Sequence, residues 1–142
     1  MNDLKVFTVD EANKLLPRLA PLLNQLKSVR YGLLKQEVEI DALELIHPVQ
    51  GDQVPPLLKK AVECYNEQVK KFYALIDLIH GHGYFVKDVE MGLIDFYGRQ
   101  KGEIVYLCWK LGEPEIGHWH EIGQGFMQRR PLADKLENEN KA

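Results

Sequence analysis

The chain has 142 residues, a length that suits one domain with a core of its own. Hydrophobic residues make up 45% of the sequence and charged residues 27%, which is typical of a globular protein and argues against disorder along the whole chain. No apolar run reaches the roughly 18 residues that a membrane-spanning helix needs, so we expect no membrane partner. The first residues lack the pattern of a secretion signal, and two cysteines are too few for a disulfide framework, so we expect a cytoplasmic protein.

The charge balance argues against nucleic acid as a partner. The sequence contains 18 basic and 21 acidic residues, which give a formal net charge of −3. Splitting the chain after His80 leaves neither part with an excess of basic residues, so the broad positive surface that nucleic-acid binding requires is missing. We therefore expect no nucleic-acid partner.

The first predicted element is a helix that begins after a capping box. The hydroxyl of Thr8 is placed to accept the amide of Glu11, and the Glu11 carboxylate to accept the amide of Thr8. Apolar residues then recur every three or four positions and form one helical stripe: Ala12, Leu15, Leu16, Leu19, Leu22, Leu23, Leu26 and Val29. Pro17 and Pro21 fall inside the stripe, and each removes an amide donor. The pattern predicts a short helix over about 9–16, a kink at the two prolines, and a long helix to the region of residues 43–45.

A second long helix is predicted after a break rich in proline, glycine and aspartate at residues 47–52. Pro55 and Pro56 suit the opening turn of a helix, where a missing amide costs little. Apolar residues then repeat at the helical period down to His80, and Gly81 and Gly83 end the pattern. Two long amphipathic helices joined by a short loop predict an antiparallel hairpin.

From Tyr84 onward the pattern changes to that of strands. Segments 84–89, 93–97, 103–109 and 116–120 are rich in β-branched and aromatic residues and are separated by glycine-containing turns. The predicted fold class is α+β, a long helical hairpin kinked at Pro17 and Pro21 and followed by a small antiparallel sheet. We predict one domain over residues 1–132, with its helical part at about 8–82 and its sheet part at about 84–122. The tail, residues 133–142, is predicted to be frayed.

Two histidines in the last predicted strand are candidate metal ligands. His118 and His120 share a face because alternate residues of a strand point to the same side. Asp95, Cys108 or Glu113 would supply a third ligand if a neighbouring strand brought it close. The spacing thus permits a divalent-metal site, with Asp95, Glu113, His118 and His120 as the ligand set. The favoured interpretation is that the two histidines are partly exposed or hydrogen-bonded and hold no metal.

Asp95 and Cys108 each allow two interpretations. Asp95 stands in an otherwise apolar strand, where an unpaired carboxylate is costly, so it is a general base, a metal ligand or the partner of a cation. The favoured interpretation is a carboxylate on a solvent-facing side of the strand or an ion pair, with Arg129, Arg130 or Lys87 as the cation. Cys108 lies between Leu107 and Trp109, which favours a small buried side chain over a nucleophile activated by His120.

Several of these motifs together resemble a family of uncharacterised prokaryotic proteins. They are Phe7–Asn13 with Leu15–Pro17, Gly92–Phe96, Leu107–Trp109, Gly112–Glu113, Trp119–His120 and Gly125–Phe126 with Arg129. The family is the domain-of-unknown-function family 2203, and the resemblance spans roughly residues 7–131. It implies a small cytoplasmic bacterial protein with helices and a sheet, and it implies no activity. The positions that match its motifs are the candidate ligand or polar-cluster residues: Asp88, Asp95, Cys108, Trp109, Glu113, Trp119, His120 and Arg129. His118 is not among them, which shifts weight to a site built on His120 with carboxylates.

Three functions are compatible with the sequence. The favoured one is a non-catalytic binding or interaction module that self-associates through its helices, with a homodimer as the simplest assembly. The alternative is a small hydrolase that uses Asp95, Glu113 and His120 around water or a divalent metal. A third interpretation is purely structural, with the polar residues tying the sheet to the C-terminal segment. Whether the protein is an enzyme, and which small molecule it would bind, stays open.

Overall fold

The structure is a computed structural model that describes residues 4–132, and the predicted frayed tail lies outside the described residues. Within that range the fold is α+β, with three helices followed by a five-stranded antiparallel sheet, which confirms the predicted class. The elements in chain order are α1 Val9–Asn13, α2 Leu16–Ile46, α3 Pro56–Ile79, β1 Tyr84–Asp88, β2 Leu93–Gln100, β3 Glu103–Lys110, β4 His118–His120, a 3-10 helix Phe126–Gln128 and β5 Arg130–Pro131. No helix in residues 4–132 is both long enough and apolar enough to cross a bilayer.

The chain forms two compact units. The first, called here the sheet unit, contains the described residues 4–24 and 78–132. The second, the helical unit, is the continuous segment Gln25–Asp77. The single domain predicted over residues 1–132 stays a prediction.

The predicted capping box is present at the start of α1. The Thr8 Oγ1 atom accepts the Glu11 amide at 3.0 Å, and a Glu11 carboxylate oxygen accepts the Thr8 amide at 2.9 Å. α1 ends at Asn13, and α2 begins at Leu16 after a two-residue turn. Pro17 therefore lies in the first turn of α2, where its missing amide has no helical partner to lose.

The structure differs from the sequence prediction at the prolines. The first helix was expected to continue to about residue 16, but it ends at Asn13. α2 continues through Pro21 as one helix to Ile46, so the kink expected at Pro17 and Pro21 is not confirmed. The antiparallel hairpin also stays a prediction, since what is found is one long helix followed by another.

The helical unit holds most of α2 and α3. Its buried apolar side chains include Leu33 on α2 and Leu58 and Leu75 on α3. The Tyr65 hydroxyl donates a hydrogen bond of 2.9 Å to the Glu37 carboxylate, which links the two helices. The connection between them, residues 47–55, turns at Gly51, whose φ of +62° suits glycine.

The sheet is a meander in which each strand pairs with the next one along the chain. Gln100 pairs with Glu103, so β2 and β3 are joined by the two-residue turn Lys101–Gly102. Both turn residues have positive φ, 52° and 82°, as a tight hairpin turn with the twist of its strands requires. The four predicted strand segments all overlap strands of the structure, whereas β5 was not predicted.

The two faces of the sheet differ in polarity because side chains alternate along each strand. Phe96 and Leu107 are opposite one another on the apolar face and are fully buried. The Phe7 ring packs edge-on against Phe96 at 5.5 Å and Tyr84 at 5.7 Å, and its amide donates to the Tyr97 carbonyl at 2.7 Å. These contacts attach the N-terminal segment to the sheet. The other face is polar in the middle, and it contains the candidate site.

Candidate functional site

Three polar side chains meet on this second face of the sheet. Asp95 on β2 is directly opposite Cys108 on β3, and His120 on β4 is opposite Tyr106, two residues away from Cys108 on the same face. Asp95, Cys108 and His120 are each 0% exposed. The His120 Nε2 atom lies 3.1 Å from the Asp95 Oδ2 atom. We call these three residues the buried triad.

The hydrogen bonding of the buried triad is incomplete. The Nδ1 atom of His120 lies 3.0 Å from the Glu121 carbonyl oxygen, which accepts only, so Nδ1 carries a proton and donates. In a neutral imidazole Nε2 then presents a lone pair towards the Asp95 carboxyl group. Among the described residues, neither Asp95 oxygen nor His120 Nε2 makes a well-aligned hydrogen bond. Buried polar atoms without partners are costly, so this arrangement calls for a proton or a cation between the two groups.

Burial raises the pKa of two members of the triad, Asp95 and Cys108. It raises the pKa of Asp95, and the opposing effects of His120, Cys108 and Lys87 do not cancel the rise. Burial and the neighbouring Asp95 raise the pKa of Cys108 to about 12, with a partial offset from Arg129. The cysteine is thus a neutral thiol at physiological pH unless a further positive charge is present. This agrees with the interpretation of Cys108 as a small buried residue rather than a nucleophile.

Aromatic rings enclose the triad on one side. The Tyr106 ring lies 5.3 Å from the His120 ring, 5.1 Å from the Tyr97 ring and 5.6 Å from the Phe85 ring. Burial and the adjacent Tyr97 raise the pKa of Tyr106 to about 12, so the tyrosine stays neutral. Tyr106 is two residues from Cys108 in β3, so the two side chains lie on the same face of the sheet. That spacing was the signal by which the sequence could have identified Tyr106.

A second polar cluster lies beside the triad and is called here the Glu113 cluster, made of Glu113, His118, Phe126 and Arg129. Arg129 donates two hydrogen bonds to the Glu113 carboxylate, at 3.1 and 2.9 Å. The guanidinium also stacks on the Phe126 ring at 4.5 Å, and it interacts with the Cys108 sulfur. His118 Nδ1 lies 3.8 Å from the Glu113 carboxylate. The cluster connects the loop after β3 to the segment of the 3-10 helix.

Replacing Glu113 with glutamine is expected to destabilise the protein by about 1–3 kcal/mol at pH 7, the usual range for a charge-assisted hydrogen bond. Burial would raise the pKa of Glu113, but Arg129 and the Lys110 amide outweigh that effect and lower it. Wild type therefore has this contribution above the ordinary pKa of glutamate and loses it as the pH falls through the lowered pKa. Urea unfolding between pH 3 and pH 7 measures it. Glu90→Gln, at an exposed position, is the control, and a wild-type advantage that stayed constant down to pH 3 would contradict the prediction.

The other sequence candidates lie outside the two clusters. Asp88 accepts the Met91 amide at 2.8 Å and so closes the turn after β1. Trp109 lies on the apolar face and donates from its ring to the Glu113 carbonyl at 2.9 Å. Trp119 is on that face too, under the Arg130 guanidinium at 4.8 Å, and lines an open groove of about 750 Å³. These three side chains do not join the buried triad.

The predicted ligand set is therefore divided between two places. Asp95 and His120 are together, but the third donor beside them is Cys108, while Glu113 and His118 belong to the neighbouring cluster. The favoured pairing of Asp95 with an arginine is wrong. Arg129 pairs with Glu113, Arg130 pairs with Glu121 at 3.1 Å, and Asp95 faces His120. Phe126 was not among the candidate site residues, although the motif Gly125–Phe126 with Arg129 was a signal that could have identified it.

The helical unit presents a different kind of candidate surface. Four large apolar side chains of α2 are between 47% and 85% exposed: Tyr31, Leu34, Val38 and Leu45. Their spacing of three, four and seven residues places them on one side of the helix, away from the buried Leu26 and Leu33. We call these four residues the α2 stripe.

Comparison with known proteins identifies the family alone. No curated protein and no solved structure matches the chain. One family model, that of the uncharacterised conserved protein DUF2203, matches residues 5–132 and so covers nearly all of the sequence. The chain belongs to the DUF2203 family, as the motifs of its sequence indicated.

Proposed function

We propose that this protein is a non-catalytic interaction module that forms a homodimer through the α2 stripe. The observation that carries the proposal is the stripe itself, four large apolar side chains on one side of a long helix. Burying a side chain of this kind contributes about 1.5–3 kcal/mol each, so a partner that covered all four would gain enough to offset the cost of association. Spacings of three and four residues are those of a coiled-coil seam, which favours another helix as the partner.

The charges of α2 favour a second copy in the antiparallel orientation. Lys27, Arg30 and Lys35 are in the first part of the helical-unit segment of α2. Glu39, Asp41 and Glu44 are in the last part. Two such helices placed antiparallel, with Leu34 of each against Val38 of the other, bring the basic part of one beside the acidic part of the other. The same helices placed parallel would oppose like charges, which is unfavourable.

In the proposed dimer, packing of α3 against α2 fixes the position of the α2 stripe. We propose that the two helices form the antiparallel hairpin that the sequence predicts, with the Tyr65–Glu37 hydrogen bond as one of its links. Packing against α3 would keep α2 straight and would leave the α2 stripe facing solvent, where a second copy can contact it. A two-fold axis crossing α2 then makes the interface self-complementary, as closed homodimers require.

Burial of the triad supports the non-catalytic interpretation over the hydrolase. Asp95 and His120 are 0% exposed, so neither can touch a substrate while the sheet unit keeps this conformation. A general base has to lie within hydrogen-bond reach of the proton that it removes. We also propose a cytoplasmic location, because Cys64 and Cys108 are both free thiols and a reducing compartment keeps them so.

Leu34→Asp tests the dimer. Wild type is expected to show a mass near twice that of the 16.4 kDa chain in sedimentation equilibrium at micromolar concentration. Placing a carboxylate in the seam should weaken association at least tenfold, because the charge loses its water on binding. Val49→Asp is the matched control, since Val49 is 47% exposed, as Leu34 is, but lies in the connection between the helices. A monomeric wild type, or equal weakening by both variants, would contradict the proposal.

A further inference from the structure

We propose that Asp95, Cys108 and His120 bind a divalent transition-metal ion, with zinc as the ion that suits them best. The inference is independent of the proposed dimer, because the triad belongs to the sheet unit and the α2 stripe to the helical unit. It rests on four properties of the triad: its geometry, its unpartnered atoms, its donor types and its charge.

The geometry is close to that of three corners of a tetrahedral site. One ligand atom from each residue, an oxygen, a sulfur and a nitrogen, lies within 4.8 Å of the other two. The Asp95 Oδ2 and His120 Nε2 atoms are 3.1 Å apart, and two such ligands on one zinc ion are separated by about 3.3 Å. The Cys108 sulfur lies within the same 4.8 Å limit of both atoms, which is the range that a shared ion requires.

The unpartnered atoms are those that a metal would use. The Asp95 oxygens and His120 Nε2 are buried and lack well-aligned hydrogen bonds among the described residues, although the Cys108 thiol and the His120 ring lie close enough to Asp95 to lower its pKa. In a neutral imidazole whose Nδ1 donates to the Glu121 carbonyl, Nε2 presents its lone pair, which is the tautomer that ligation through Nε2 requires. Metal-bound histidines are commonly oriented by a hydrogen bond of this kind from the other ring nitrogen.

The donor types select the class of metal. Magnesium and calcium prefer sites made of oxygen atoms, whereas a thiolate and an imidazole suit zinc, iron and cobalt. Three protein ligands leave a fourth position, which a water molecule would occupy. Because all three residues are 0% exposed, a metal here is enclosed by the protein and serves to hold β2, β3 and β4 together.

The charges of the site would balance around a divalent ion. An ionised Asp95 and an ionised Cys108 cancel two positive charges, and His120 contributes none when neutral. Without the ion, burial and the neighbouring Asp95 keep Cys108 a neutral thiol, so the ion displaces the thiol proton when it binds. The Arg129 guanidinium beside the Cys108 sulfur provides the outer contact that favours the thiolate form.

Metal analysis of untagged protein prepared without chelator tests the inference. The expected result is about one zinc ion per chain, and a rise in Tm of at least about 5 °C when zinc is returned to chelator-treated protein. Added cobalt should give the charge-transfer absorption of a cobalt–thiolate bond. Cys108→Ala should abolish that absorption and weaken zinc binding at least tenfold while it leaves Asp95 and His120 in place. Asp95→Asn, which preserves shape, should weaken zinc binding to a similar extent.

His118→Ala is the matched control, because His118 is on the same strand and face but belongs to the Glu113 cluster. It should retain cobalt absorption and zinc binding. The inference is overturned if wild type binds neither ion and its Tm does not change with zinc. It is equally overturned if Cys108→Ala binds both ions as wild type does, or if His118→Ala loses binding while Cys108→Ala keeps it.

Discussion

His120→Phe is expected to lower the free energy of unfolding by about 3 kcal/mol in chelator-treated protein, the upper end of the cost of leaving a buried polar group without its neighbour. Phenylalanine keeps an aromatic ring in the site but is larger than histidine, so the loss contains an overpacking cost as well as the loss of polarity. Asp95 would then remain in apolar surroundings with no imidazole 3.1 Å away. It must either stay charged there or take up a proton, and both outcomes are unfavourable.

The double variant Asp95→Val with His120→Phe distinguishes the interaction energy of the two polar groups from the effect of changed packing. Removing both polar groups leaves no unpartnered charge, so it should recover most of the stability that the single variant loses. Urea unfolding of wild type, both single variants and the double variant completes the cycle. His82→Phe is the control at an exposed position and should change stability by no more than about 0.5 kcal/mol. A double variant as unstable as the sum of the singles would contradict the expected coupling.

Phe96→Ala is expected to destabilise the protein by about 3–5 kcal/mol, the range for truncation of a buried phenylalanine. Phe96 is 0% exposed on the apolar face of the sheet. Its ring touches both Phe7 and Tyr84, with centroid distances of 5.5 and 5.3 Å, so its loss would leave a cavity beside both. Tyr84 is further held by the Arg18 guanidinium, which donates to its hydroxyl at 2.8 Å and limits how far it can move to fill the cavity.

Chemical unfolding followed by tryptophan fluorescence measures the effect of Phe96→Ala. Tyr73→Ala is the control, because Tyr73 is an aromatic residue that is 60% exposed and should cost about 1 kcal/mol or less. A loss below about 1.5 kcal/mol for Phe96→Ala would show that the core closes around the truncated side chain and would contradict the prediction.

The local features of the fold were predictable from the sequence because they depend on neighbouring residues. The Thr8–Glu11 capping box needs only four residues, and it is present as expected. The strands between residues 84 and 120 were indicated by runs of β-branched and aromatic residues separated by glycine-containing turns. β5 escaped detection because two residues, Arg130 and Pro131, show no alternation, and the strand exists only by pairing with β4.

The break between the first two helices lies before Pro17, not at Pro17 as the sequence predicted. The sequence pattern predicted that a helix ends near residue 16, whereas in the structure α2 begins at Leu16, with Pro17 in its first turn. Proline is compatible with the start of a helix because the first amides have no helical partner. Pro21, four residues later, shows that a helix long enough to pack elsewhere tolerates one lost hydrogen bond.

The composition of the site depends on strand register, which the sequence does not specify. His118 and His120 share a face as predicted, but only the register places Asp95 opposite Cys108 and Cys108 opposite His118. A shift of one residue in any pairing would move a whole set of side chains to the other face. Glu113 was assigned to the wrong group because it lies in a loop, whose path no periodicity predicts.

The division of the chain into two units has a consequence for synthesis on the ribosome. Phe7 packs on Phe96, and the 88 residues between them include the entire helical unit. At a translation rate of about 5–20 residues per second, the N-terminal segment waits roughly 4–18 seconds before its sheet has been made. During that interval no strand of the sheet is present to cover the leucine side chains of the N-terminal segment. A nascent chain stalled between residues 80 and 95 should therefore be a good substrate for chaperones that hold exposed apolar segments.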